Sequence, residues 1–231
     1  RRLINEEWRR GIDRGKPTAI RVTVIKIADG LFQFFFTSDY VRFDGWSSAI
    51  IQFEILTCYL AWEKGREINL IKDYNYPTYL SALRRQDMEA ARKYWLSVFE
   101  GYNVAPASLI RRFPCNAPKT EIEYARQYLY VSVDLSTRID IFLKKHRLTY
   151  STLIFTVWGL LMGRYADESD VVFGVIYSGR TIAASESIEA MAGNSISLLP
   201  LRMKLNPAMP LLSLLKQIFQ EQAQANIYEY T

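Results

Sequence analysis

Ser38-Asp39-Tyr40-Val41-Arg42-Phe43-Asp44-Gly45-Trp46-Ser47 is the stretch on which the reading of this chain turns. It follows an apolar segment, Leu31 to Thr37, and precedes a second one that runs to Lys64. The first has the composition of a strand and the second that of a helix. The stretch is therefore a loop held between two rigid elements, a natural place for functional side chains. It offers two carboxylates, a phenol, a guanidinium and an indole, but no imidazole.

Working outward, residues 2–10 read as the end of a helix closed by Gly11. Ala19 to Ile27 sets Ile20, Val22 and Val24 against Arg21, Thr23 and Lys26, the period-two alternation of a half-buried strand. Asp29-Gly30 is a hairpin turn signal, and Leu31 to Thr37 is the returning strand. Its Phe34-Phe35-Phe36 run is apolar on both faces, which predicts a central strand. Ser47 or Ser48 can cap the following helix, with Ile51, Ile55, Leu56, Tyr59 and Leu60 as its apolar stripe and Gly65 as its stop.

Residues 66–78 read as irregular, with Tyr74, Tyr76 and Tyr79 around Pro77 as packing groups. A helix from Asp87 to Phe99 turns Tyr94, Trp95, Val98 and Phe99 inward, and Gly101 ends it. Pro106, Pro114 and Pro118 mark residues 102–122 as a linker. The second half restarts with an alternating segment, Tyr124 to Val133, and then a helix from Asp134-Leu135-Ser136 to Lys145. Thr149 or Ser151 opens another helix, with Leu153, Val157, Leu160 and Leu161 in step. Asp170 to Tyr177 and Ile196 to Leu205 are strands, and Pro210 to Tyr228 is an amphipathic helix with proline at its start. The fold class is α/β, divided as 1–101, linker 102–122 and 123–231.

Composition narrows the function classes. Nearly half of the 231 residues are hydrophobic, which is globular rather than disordered. The net charge of +5 comes from interspersed signs, with no basic stripe for nucleic acid. Cys58 and Cys115 lie far apart with no further ligand nearby, so neither a zinc site nor a disulfide framework is expected. No apolar run approaches the ~20 residues that span a bilayer. A reduced, cytoplasmic protein with no metal is the expectation, and the start at Arg1 reads as a piece of something longer.

Several segments occur in the order found in one family. They are Arg10-Gly11-Ile12-Asp13, Asp44-Gly45-Trp46-Ser47, Tyr94-Trp95, Lys145-His146-Arg147-Leu148-Thr149 and the Asp170 to Arg180 run DVVFGVIYSGR. Met191-Ala192-Gly193, Leu199-Pro200-Leu201-Arg202 and Tyr228-Glu229-Tyr230-Thr231 complete the series. The chain resembles the condensation domains of non-ribosomal peptide synthetases over its whole length. That resemblance implies two chloramphenicol-acetyltransferase-like lobes with a tunnel between them, here incomplete at both ends.

The family's His-His-x-x-x-Asp-Gly motif, counted back from Asp44 and Gly45, puts its histidines at Asp39 and Tyr40. The second of them assists attack of an acceptor amine on a carrier-bound thioester. Imidazole suits proton exchange at neutral pH, whereas phenols as a class are only about one part in a thousand ionised there. The resemblance makes Asp44 a structural anchor paired with an arginine, and Arg180 is the candidate partner. Gly45 permits close backbone approach or a positive φ, and its amide could face a tunnel as an oxyanion donor. Asp39, Trp46, Ser178, Arg180, Asn194 and Ser197 are expected along the substrate tunnel. A second departure lies at Ser195, Ser197 and Leu198, where the family usually has Phe, Asn and Thr.

His146, the sole histidine, sits in a basic helix end and is read as structural. Ser178 has glycine on one side only, so it is not a nucleophile elbow. Asp167, Glu168 and Asp170 read as a solvated cluster. The resemblance implies no intrinsic cofactor. The phosphopantetheine arm would come with partner acyl or peptidyl carrier proteins, alongside neighbouring assembly-line domains. Two readings stand: a condensation-like platform without the usual base, or an active acyltransferase making an amide or ester through a substituted site.

Overall fold

The structure is a computed structural model that describes residues 2–16, 20–68, 76–103, 127–181 and 188–231. Tyr74, Cys115 and most of the 102–122 segment lie outside the described residues. The chain groups into two compact units that do not follow chain order. The first holds residues 1–86 and takes in Ser178–Ser197 from the second half; the second holds Asp87–Tyr177 and Leu198–Glu229. A cut at residue 101 would have placed the helix after Asp87 with the first half.

In the first unit, helix α1 (Arg2–Arg10) leads to strands β1 (Ile20–Ala28) and β2 (Leu31–Ser38). The strands pair antiparallel, with Ile20 opposite Ser38 and Val24 opposite Phe34. The register shifts between Lys26 and Ala28, beside the Asp29-Gly30 turn. Arg21 on β1 donates to the Glu7 carboxylate at 2.6 Å and to the Gly11 carbonyl at 3.0 Å, tying α1 to the hairpin. Phe32 and Phe34 are exposed, and β2 pairs only with β1 among the described residues. The central strand expected from Phe34-Phe35-Phe36 is thus corrected to one arm of a two-stranded ribbon.

Helix α2 (Gly45–Glu63) follows the loop, with Asp44 as its N-cap. Its half-buried face is Ile51, Ile55 and Cys58, while Leu56, Tyr59 and Leu60 point outward. The helix is apolar all round, so periodicity alone could not choose the face. Helix α3 (Tyr76–Leu83) takes only the last three residues of the irregular segment expected at 66–78; residues 66–68 are irregular, and 69–75 lie outside the described residues. Pro77 lies in its first turn, where its missing N–H costs no hydrogen bond. Tyr76 and Tyr79 stack at 5.8 Å and pack with Ile188 and Met191, the packing role expected of them.

In the second unit, α4 (Met88–Val98) is capped by Asp87, and Tyr94, Trp95 and Val98 are half-buried as expected. Of the strand expected at Tyr124 to Val133, residues 124–126 lie outside the described residues, 127–132 are irregular and Val133 opens a helix; Leu129 and Tyr130 are exposed. An alternating segment becomes a strand only where a sheet edge receives it. Helix α5 (Val133–His146) starts at a Ser132 cap, ahead of the Asp134-Leu135-Ser136 start. Helix α6 (Tyr150–Ala166) is capped by Thr149.

The buried face of α6 is Thr152, Thr156, Gly159, Met162 and Gly163, whereas Val157, Leu160 and Leu161 are exposed. A side chain at Gly159 would collide with Met203, and one at Gly163 with Leu205. Close approach of neighbouring side chains, not hydrophobicity, therefore selects the face. Strands β3 (Asp170–Tyr177) and β4 (Ser197–Lys204) pair, and helix α7 (Leu211–Ile227) follows Pro210. Val171, Val175, Leu201, Met203, Leu214 and Ile218 form the core. Among the described residues no helix is long and apolar enough to cross a membrane.

A further correction concerns Asp170. It belongs to no solvated cluster: Arg202 binds it through Nε at 2.9 Å and Nη2 at 2.6 Å. The same guanidinium donates from Nη1 to the carbonyls of Val98 and Glu100, at 2.8 and 2.9 Å, closing the end of α4. Asp167 is the left-handed C-cap of α6.

Candidate functional site

Asp44 is at the centre of the site and is 2% exposed. Its Oδ1 caps α2 by accepting from the Ser47 amide at 2.7 Å, so the cap is Asp44 rather than Ser47 or Ser48. Ser47 Oγ lies 2.6 Å from the same oxygen and 2.7 Å from the Gly193 carbonyl, its one proton serving one of them at a time. It also accepts from the Gly193 amide at 2.9 Å. Oδ2 accepts from the Ser195 amide at 3.3 Å and lies 3.1 Å from Ser195 Oγ.

Arg180 completes the anchor expected from the sequence. Its Nη2 lies 3.2 and 3.1 Å from the two Asp44 oxygens, across 136 residues of chain. Its Nη1 donates to the carbonyls of Ile188 and Met191 at 2.8 and 3.0 Å. Burial alone would raise the Asp44 carboxyl. Hydrogen bonds from Ser47 and Ser195, with the Arg180 charge, outweigh it and hold the group below the ordinary carboxylate range. Asp44 is accordingly an ionised, fully engaged anchor rather than a proton acceptor.

Gly179 makes this geometry possible. Its φ is +65°, and a β-carbon there would collide with the Ser195 carbonyl. Only glycine lets the chain turn after Ser178, so that Arg180 enters the cluster while Ser195 Oγ reaches the Ser178 carbonyl at 2.8 Å. Ser195 thus turns out to be a hydrogen-bonding member of the anchor. Only its small polar side chain signalled this in the sequence, where it stood out as a missing phenylalanine.

Asp39 and Tyr40, where the resemblance would put the motif histidines, differ sharply. Asp39 is 8% exposed and accepts from Arg14 Nε at 2.7 Å and from the Val41 amide at 3.0 Å. The Arg14 bond, then the Val41 amide, hold its carboxyl below the ordinary range. It shapes an Asx turn, with its own carbonyl accepting from the amides of Arg42 and Phe43. Tyr40 is 65% exposed. Its hydroxyl sits 3.8 Å from where a side chain on Gly45 would begin. Gly45 itself does not have a positive φ; it is the first residue of α2, and its surroundings would admit a β-carbon.

Asn194 donates to the carbonyls of Tyr40 and Val41, both at 3.3 Å, and pins the loop. Trp46 is half exposed, donates to the Glu189 carbonyl at 2.8 Å and lies under the Arg180 guanidinium at 5.9 Å. Ser178 is exposed. Ser197 Oγ is buried and has no hydrogen-bond partner among the described residues, and Leu198 is 67% exposed. His146 packs on the Phe142 ring at 4.7 Å within α5 and belongs to the other unit. No group of side chains among the described residues could hold a metal ion.

The sequence matches the condensation-domain family over residues 1–231. It is similar to bacitracin synthase 3 of Bacillus licheniformis, 30% identical over 229 residues that cover 99% of this chain and 4% of that protein. Among solved structures, the first condensation domain of the calcium-dependent antibiotic synthetase, in complex with a substrate analogue, shares the fold with a TM-score of 0.74. The identity there is 15%, covering 93% of this chain and 48% of that one. The epimerization domain from the third module of tyrocidine synthetase B shares it with a TM-score of 0.70 at 16% identity, covering 89% of this chain and 48% of that one. The chain thus spans about half the length of these solved relatives and a small part of the bacitracin synthase. With its α/β, chloramphenicol-acetyltransferase-like fold and a family match along its full length, the chain belongs to the condensation-domain family.

Proposed function

We propose that this chain is part of a condensation-like domain in a non-ribosomal peptide or hybrid polyketide assembly line, and that it acts as a platform for carrier proteins without the usual catalytic base. The observation that carries this reading is the contrast within one loop. The Asp44–Arg180 anchor is intact, while the position four residues before Asp44 holds an exposed phenol and the one before that a carboxylate committed to Arg14. Loss of a general base costs about 10²–10⁴ in rate. Selection for the loop's shape, with relaxed demand on its chemistry, accounts for both halves of the contrast. Partner carrier proteins would bring the phosphopantetheine arm, and Trp46 and Ser178 are the exposed side chains that would meet it. The protein would act in the cytoplasm.

A second reading, an acyltransferase forming an amide or ester, has one observation in its favour. The Tyr40 hydroxyl stands exposed beside the start of α2, where it could orient an acceptor whose amine loses its proton without a protein base. The test is turnover by the intact protein with loaded donor and acceptor carrier proteins, read by intact mass. The platform reading expects no condensed product, carrier binding preserved, and product gained on Tyr40→His combined with Asp39→His. Turnover by the native sequence that falls at least tenfold in Tyr40→Phe would overturn it in favour of the transferase.

A further inference from the structure

We propose that Arg14 is a positioning residue for the Tyr40 loop, one half of a reciprocal clasp between the 13–16 turn and the 39–43 turn that fixes how the loop presents its phenol. Each turn lends an arginine to the other. Arg14 Nε donates to Asp39 Oδ2 at 2.7 Å, across 25 residues of chain. In return, Arg42 Nη2 lies 3.0 Å from the Arg14 carbonyl and 3.1 Å from that of Lys16.

Both turns are shaped locally by an aspartate, so the clasp joins two preformed pieces. Asp13 Oδ1 accepts from the Gly15 amide at 3.0 Å, and the Asp13 carbonyl accepts from the Lys16 amide at 3.2 Å. Asp39 Oδ1 accepts from the Val41 amide at 3.0 Å, and its carbonyl accepts from the amides of Arg42 and Phe43 at 3.1 and 3.2 Å. Arg14 takes the carboxylate oxygen that this second turn leaves over. With both oxygens held, Asp39 cannot swing, and the three amides that depend on it stay in place. Tyr40 lies inside that ring of bonds. From the other side, Asn194 donates to the carbonyls of Tyr40 and Val41.

The arrangement explains why an acid can stand at position 39. A carboxylate has an oxygen for the guanidinium and another for the Val41 amide, whereas a neutral imidazole has a single acceptor nitrogen. A histidine there would leave one of the two donors unserved, so Arg14 and Asp39 depend on each other. The Arg14 side chain is 72% exposed and that of Asp39 8%. A pair with one solvated partner adds little to overall stability, so the clasp orders the loop rather than the whole unit. It operates whether the loop catalyses or only meets carrier proteins.

The test is amide hydrogen exchange of the intact protein, read residue by residue. In Arg14→Gln and in Asp39→Asn, which keeps an oxygen for the Val41 amide, the amides of residues 41–43 should exchange about fivefold faster or more. The double variant should exchange no more than about twofold faster than either single one, since both remove the same bond. Arg14→Lys should return the rates to within about threefold of native, because the pair needs one charged donor and not a two-pronged one. Exchange in α7 should stay unchanged in every variant. Unprotected 41–43 amides in the native protein, unchanged rates in Arg14→Gln, additive effects in the double variant, no rescue by lysine, or faster exchange that extends to α7 would each overturn the proposal. No turnover enters the measurement, so its outcome is separate from that of the platform reading.

Discussion

Each unit holds an arginine–aspartate pair with a buried guanidinium, and the two pairs are built for different work. Asp44 is surrounded: Ser47, Ser195 and Arg180 all donate to it, and Arg180 spends Nη1 on two carbonyls of the 188–191 turn. Asp170 depends on Arg202 alone for the side-chain bonds described, while Arg202 is the hub, reaching the end of α4 as well. One pair is centred on its acid and closes a loop across 136 residues; the other is centred on its base and joins a strand to a helix end. Where the acid is the hub, the loop geometry is fixed from several sides at once. That is what a site needs if its shape is to outlast a change in its chemistry.

Substitutions can break this contrast or sharpen it. The largest effect is expected for Asp44→Ala, which leaves Arg180 buried without its counter-charge and removes a helix cap; about 3–5 kcal/mol should be lost in denaturant unfolding. Gly179→Ala comes next at about 3 kcal/mol, through its positive φ and the collision with the Ser195 carbonyl. Asp170→Ala should cost about 2 kcal/mol, because Asp170 is 20% exposed and Arg202 keeps its carbonyl partners. A loss for Asp170→Ala equal to that for Asp44→Ala would erase the distinction between the pairs. Ser195→Ala is smallest, at about 1 kcal/mol, since the Ser195 amide still reaches Asp44.

Acid adds a reading of the same pair. The folded Asp44 carboxyl titrates below its unfolded value of about 3.9, so its contribution is complete above that pH and is lost as pH falls through the lower, folded value. Acid unfolding of the native protein should therefore be steeper below about pH 4 than that of Asp44→Asn. Equal slopes would mean that Asp44 is not held ionised by its neighbours.

Local chemistry was legible in the sequence. The Asp29-Gly30 turn, the Thr149 cap, the bounds of β3 and the pairing of Asp44 with Arg180 all follow from residue types at short spacing or from a family motif. What escaped was decided by neighbours far along the chain. Ser195 reaches Asp44 across 151 residues, which leaves no periodic trace. The α6 face is chosen by where Met203 and Leu205 press against glycines, so the more hydrophobic residues of that helix led to the wrong side. Asp170 resembled a solvated acid because its partner lies on the neighbouring strand. Residues 76–78 read with the irregular segment before them because a proline in a first helical turn and one in a loop look alike.

The capture of Ser178–Ser197 by the first unit also sets an order in time. Synthesis proceeds from the N-terminus, so Asp44 leaves the ribosome long before Gly179, Arg180 and Ser195 exist. Until they emerge, its carboxylate can cap α2 but cannot be enclosed, and the 38–47 loop lacks its bonds to Arg180, Asn194 and Ser195. The first unit is thus begun early and finished late, with most of the second unit made in between.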